Sequence, residues 1–184
     1  MTATKDTPTK ETKYTAPGMS TNEGAAAAGV LQDRLTELID LQLTLKHVHW
    51  NVVGPNFIGV HEMIDKQVKG VRKMVDATAE RIATLGLAPI GTLAGVARER
   101  GQAEEYPLGR ADTMAHLEAL DHTYTSVISN HRQAMRKLED IDLVSQDMLI
   151  QHLEQLELYQ WFVRAHREDP SGALTSPTSS QRGA

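Results

Sequence analysis

Four runs of apolar residues recur at three-, four- and seven-residue steps, separated by breaks that contain Gly, Pro or acidic residues. That periodicity commits the chain to a bundle of amphipathic helices. The first run is Leu31, Leu35, Leu38, Leu45, Val48 and Val52. Thr21 or Asn22 can cap its helix, which should stop near Gly54-Pro55. The second helix is expected from about Asn56 to Leu85, with Val60, Ile64, Val68, Val71, Val75, Ala79 and Ile82 as its apolar line and Gly86 at its end. The third, from about Arg110 to Glu139, carries Leu117, Leu120, Tyr124, Val127, His131, Met135 and Leu138. The fourth, capped by Ser145, carries Leu149, Leu153, Leu156, Tyr159 and Val163 and ends near His166. Residues 86–109 are too long for a hairpin turn and include a short helical stretch, Leu93–Arg100. The expected fold class is all-α: a four-helix bundle whose long crossover connection carries a short helix. Residues 1–20 read as a flexible arm, 21–167 as the bundle and 168–184 as a second loose tail.

The chemistry concentrates between Lys46 and Arg81. His49 and Trp50 fall on the last turns of the first helix. On the second, His61 and Asp65 are four apart, as are Asp76 and Glu80. At 100° per residue these four side chains lie within about 100° of one another. They form one stripe of imidazole and carboxylate, the donor set of a borderline divalent metal such as Fe, Mn or Zn. Asp65 and Asp76 are separated by roughly 16 Å of helix axis at 1.5 Å per residue, so one straight helix cannot bring both pairs to one ion. A second helix of the same chain, or a second copy of this one, must complete the site. An antiparallel two-fold pairing would set His61 and Asp65 of one chain opposite Asp76 and Glu80 of the other and create two sites together. Taken singly, each pair is more ordinarily a solvated face or a local hydrogen bond; in register behind His49-Trp50 they point to metal.

Composition narrows the classes. There is no cysteine, which excludes disulfides and thiolate metal sites and fits a reducing compartment. No run approaches the ~20 apolar residues of a membrane span, and the Thr- and Lys-rich N-terminus lacks the apolar stretch of a secretory signal, so a cytoplasmic location is expected. The formal net charge is −5, which argues against general affinity of the body for nucleic acid. In the first 20 residues Lys5, Lys10 and Lys13 face only Asp6 and Glu11, leaving +1. Weak or absent DNA binding is expected.

His49-Trp50-Asn51, Gly54, Phe57, His61, Asp65, Asp76 and Ala79-Glu80-Arg81 resemble the Dps family, the DNA-protecting mini-ferritins of starved cells, and the resemblance extends over roughly Val30 to His166. It implies a ferritin-like fold, a short helix on a two-fold axis, and a twelve-subunit shell that oxidises Fe(II), with hydrogen peroxide favoured over dioxygen, and stores the ferric product. It also implies a ferroxidase site of two irons shared between subunits, with His49, His61 and Asp65 from one chain and Asp76 and Glu80 from the other. Trp50 would stand beside the metals, able to absorb a stray oxidising equivalent, although ordinary packing explains it as well. The segment Asp142–Asp147 resembles the family's acidic three-fold pore, which makes Asp142 and Asp147 pore candidates; helix capping is the other reading of Asp147. The resemblance also allows nucleoid association. His47 points away from the stripe, and His131 reads as a hydrogen-bonded core histidine. Three rivals use the same residues differently: a metal-dependent hydrolase at the same site, a structural zinc site, and a nucleoid DNA-binding protein with secondary iron chemistry.

Overall fold

The computed structural model describes residues 13–101 and 105–175. Within them the helices are α1 (Thr21–Asn51), α2 (Phe57–Thr84), α3 (Leu93–Arg100), α4 (Thr113–Leu138) and α5 (Leu143–Ala165). Two short strands, β1 (Val52–Val53) and β2 (Ala111–Asp112), pair in parallel. β1 follows α1 and β2 precedes α4, so the connection after α2 carries the chain back along the bundle to the end where α1 stops. With α2 about 42 Å long at 1.5 Å per residue, only a long crossover can do this. α1 packs on α2, α4 on α5, and α1 on α4. The all-α bundle with its long crossover and the short helix Leu93–Arg100 stand as expected.

Two caps differ from expectation. Ser20, not Thr21 or Asn22, caps α1: its hydroxyl accepts from Glu23 N–H, and Glu23 accepts from Ser20 N–H at 2.7 Å. The four-residue signal Ser20-x-x-Glu23 satisfies two end-of-helix donors reciprocally, which Thr21 or Asn22 could not do. At α5, Asp142 is the cap and accepts from Val144 and Ser145 N–H. Ser145 lies one turn inside, its hydroxyl donating to Asp142. An anionic acceptor at a helix N-terminus is the stronger partner.

The core runs the length of the bundle through Leu31, Leu35, Leu38, Leu41 and Leu45 of α1, Val60, Ile64, Val71 and Ile82 of α2, Leu117, Leu120 and Tyr124 of α4, and Leu149, Leu156 and Val163 of α5. Full burial of each such side chain contributes about 1.5–3 kcal/mol. In α2 the buried line is Val60, Ile64, Gln67, Val71, Met74, Thr78 and Ile82, while Val68, Val75 and Ala79 sit at its edge. The polar members of this line are satisfied: Tyr124 donates to Gln67 Oε1 at 2.9 Å, and Thr78 to Met74 O at 2.7 Å. Of the expected arm, residues 1–12 lie outside the described residues; Ala16 and Met19 pack against the core. Of the expected tail, 176–184 lie outside them, and Thr175 N–H donates to Arg167 O.

The far end of α5 is tied down by charge. Asp121 of α4 receives Arg164 and Arg167, each at 2.7 Å, and Gln160 Nε2 at 2.7 Å. Two guanidinium groups and an amide satisfy the oxygens of one nearly buried carboxylate and fasten the end of α5 to α4.

His131 and His152 meet between α4 and α5 with ring centroids 6.4 Å apart. His131 Nδ1 donates to Val127 O, so it is the hydrogen-bonded core histidine expected, while His131 Nε2 and His152 Nδ1 are buried without partners. Burial, then the neighbouring His131, pushes the His152 pKa down to about 4 from 6.5. The folded state therefore binds fewer protons than the unfolded state between these values, and stability falls as pH drops through that window. The expected loss is about 3 kcal/mol per subunit between pH 6.5 and 4, at 1.36 kcal/mol per unit. Denaturant unfolding at both pH values checks this: wild type should lose that much more than His152→Leu, and equal losses would refute it.

Candidate metal centre

Gly54, at φ 93°, and Asn56, at φ 60°, turn the chain between α1 and α2. The left-handed conformation at Gly54 costs a glycine nothing, which is why the break falls there. The turn lays the last turn of α1 against the first of α2, and His49 and His61 meet ring on ring, centroids 3.6 Å apart and planes 24° apart. Phe57 backs His61 at 5.0 Å. Each imidazole reaches the other's main chain: His49 Nδ1 is 3.1 Å from His61 O, and His61 Nδ1 is 2.9 Å from His49 O. A carbonyl can only accept, so both Nδ1 atoms donate. In the neutral rings the free lone pair is then on Nε2, the form that binds a metal ion. Burial lowers the His49 pKa, opposed by the bond to the His61 carbonyl, and this favours the neutral ring.

Asp65 is one helical turn beyond His61 and carries two ammonium groups. Lys69 Nζ lies 2.8 Å from its Oδ2 and Lys46 Nζ 3.0 Å from its Oδ1. Hydrogen bonds from Lys69, then Lys46, hold its carboxyl far below the usual carboxylate range. Asp76 and Glu80 are exposed farther along α2. Among the described residues no three His, Asp or Glu side chains form a group able to hold a metal ion. The chain thus brings His49 and His61 together, turns Asp65 toward lysines, and leaves Asp76 and Glu80 on the same helix facing outward. Trp50 is 71% exposed, with Lys46 Nζ 6.0 Å from its ring centroid, so within one subunit it is not core packing.

Elsewhere the side chains have other tasks. His47 Nε2 meets Leu108 O at 2.8 Å and ties α1 to the crossover. His116 is buried beside Tyr106, whose hydroxyl is 3.0 Å from His116 Nδ1. Asp142 is buried, caps α5 and receives Arg81 at 2.7 Å; burial raises its pKa, but the hydrogen bonds from Arg81 and Ser145 outweigh that and keep it low. It joins α2 to α5 inside the subunit. Asp147 is exposed, with Gln151 Nε2 on it at 2.8 Å. The lysine contacts to Asp65 went unread in the sequence; the signal for one was there, since Asp65 and Lys69 are four apart.

Residues 29–172 match the family model of the ferritin-like domain. The chain is 53% identical over 174 residues to the DNA protection during starvation protein of Mycolicibacterium smegmatis, spanning 94% of each chain. It is 47% identical over 165 residues to the fine tangled pili major subunit of Haemophilus ducreyi, covering 90% of this chain and 87% of that one. The solved structure of Mycobacterium smegmatis Dps in its tetragonal form superposes with a TM-score of 0.87 at 54% identity, covering 89% of this chain and 99% of that one. A bundle of this topology, a ring-stacked histidine pair at the α1–α2 turn and these likenesses together place the chain in the Dps family of ferritin-like proteins.

Proposed function

We propose that this protein stores and detoxifies iron: it oxidises Fe(II) at a site shared by two subunits and keeps the ferric product inside a hollow homo-oligomeric shell of twelve. The observation that carries this reading is the reciprocal pairing of His49 and His61, which engages both Nδ1 atoms with main-chain carbonyls and leaves Nε2 of each ring as the nitrogen for a metal ion. Asp65 supplies anionic oxygen beside them. The partner subunit's Asp76 and Glu80 complete the set across a two-fold contact, with Asp76 holding or bridging the second, weaker iron. Iron is the substrate. Hydrogen peroxide is the favoured oxidant: two Fe(II) each give one electron, the O–O bond breaks, and both oxygens leave at the level of water or hydroxide. Carboxylate oxygen favours the ferric product, which assists electron loss. The exposed Trp50 stands where it can absorb a misdirected oxidising equivalent. Asp147 is the more accessible pore carboxylate, because Asp142 is engaged within the subunit. Rings of carboxylate draw cations inward by focusing the field.

Fe(II) added to purified protein should be oxidised in a fast phase that saturates at the protein sites, followed by a slower phase of mineral growth. A single unsaturable phase, no faster than in buffer, would contradict the reading. The name of the M. smegmatis relative speaks of DNA protection. Here that protection comes from removing iron and peroxide together, in the cytoplasm and near the nucleoid. Duplex DNA should bind weakly or not at all at about 0.15 M salt, where the Debye length is roughly 8 Å. The reasons are the −5 net charge and the near-neutral ends. A retardation assay at that salt tests this; tight complexes there would overturn it, and their loss on deleting residues 1–20 would identify the arm as the cause. No helix among the described residues is long and apolar enough to cross a membrane.

A further inference from the structure

Asp65 is the one carboxylate of the His49–His61–Asp65 half-site, and each of its oxygens carries a lysine. Lys46 reaches Oδ1 from α1 at 3.0 Å, and Lys69 reaches Oδ2 from α2 at 2.8 Å. The two lysines approach from different helices, so each carboxylate oxygen carries a positive charge within 3.0 Å where a metal ion would have to bind. With neutral histidines the half-site carries one negative and two positive charges, so by itself it repels a divalent cation. The partner subunit's Asp76 and Glu80 would add two negative charges. We propose that Lys46 and Lys69 form a charge latch on Asp65: a divalent metal binds only by displacing them, which weakens binding to an isolated subunit and makes loading depend on the paired subunits. This inference rests on the shared-site reading above.

The two lysines differ in accessibility. The side chain of Lys69 is 73% exposed and can swing into water, whereas Lys46, 31% exposed and also near the Trp50 ring, is more confined. Displacing Lys46 is therefore the harder step. A charge-neutral replacement of Lys69 should tighten metal binding about threefold, the scale of an exposed ion pair. The same change at Lys46 should tighten it by about tenfold or more, because the confined charge is less screened.

The test is anaerobic Co(II) binding to the assembled full-length protein, followed by the visible absorption of the bound ion, so that no oxidation is read. The variants are Lys69→Met, Lys46→Met and Asp65→Asn, with Lys66→Met as a control for loss of one positive charge elsewhere on α2. The latch predicts tighter binding in the first two, more so for Lys46→Met, and wild-type affinity in Lys66→Met. It also predicts that the advantage of the lysine variants shrinks as NaCl is raised. Unchanged or weaker binding in both lysine variants, with binding lost in Asp65→Asn, would overturn the latch and leave the metal site standing. Wild-type binding in Asp65→Asn would overturn the site itself. Equal tightening in Lys66→Met would reduce the effect to net charge and also overturn the latch.

Discussion

His61→Ala combined with Asp65→Ala should abolish the fast, saturating phase of Fe(II) oxidation while leaving the assembled size unchanged. The pair removes one of the two histidine nitrogens and the only carboxylate of the proposed half-site. Loss of even an outer-shell partner of a metal site typically costs 10–100-fold, so losing two ligands should slow the fast phase on the order of a hundredfold or more. The fold has no comparable stake in these side chains. His61 and Asp65 lie at the half-buried edge of α2, while Val60 and Ile64 beside them carry the packing. The backbone carbonyl that orients His49 survives, because it belongs to residue 61 whatever its side chain. Asp65→Ala also leaves Lys46 and Lys69 without their partner, so positive charge remains where the ion should sit. Rapid-mixing absorbance after anaerobic Fe(II) loading reads the phase, and light scattering reads the size. Undiminished fast oxidation would remove these residues from the site.

The bundle was legible because long helices repeat their signal many times. Leu31, Leu35, Leu38 and Leu45 each report the same face, and a single misread position does not move the helix. The short α3 was legible from the Gly- and Pro-containing breaks around it. Ends were harder. A cap depends on one side chain and its local geometry, and Ser20, Thr21, Asn22 and Ser145 are all chemically able to serve; at α1 the Ser20-x-x-Glu23 spacing was a readable signal that went unread, while at α5 Asp142 prevails through contacts made only in the folded chain. Along α2, Gln67 and Thr78 join the buried line because Tyr124 and the Met74 carbonyl satisfy them, which no hydropathy pattern reveals. At the site, the spacing of His61, Asp65, Asp76 and Glu80 told which face they share, but not that His49 and His61 would lock each other's ring orientation, nor that Lys46 would arrive from another helix at Asp65. Those facts depend on how the Gly54–Asn56 turn sets two helices side by side.

The proposed shared site carries the strongest consequence: two inactive proteins should restore each other. One carries His61→Ala and Asp65→Ala, the other Asp76→Ala and Glu80→Ala. In a mixed two-fold pair one site collects every lesion, while the other collects none, because its histidine half comes from the second mutant and its carboxylate half from the first. Random reassembly makes about half of the pairs mixed, and one of the two sites in each is whole, so about a quarter of all sites should be intact. The measurement is to dissociate both mutants, mix them in equal amounts, reassemble, and follow the fast phase of Fe(II) oxidation. Activity near a quarter of wild type is the expected result; no recovery, in shells shown to contain both mutants well mixed, would mean that the ligands of one site come from a single chain.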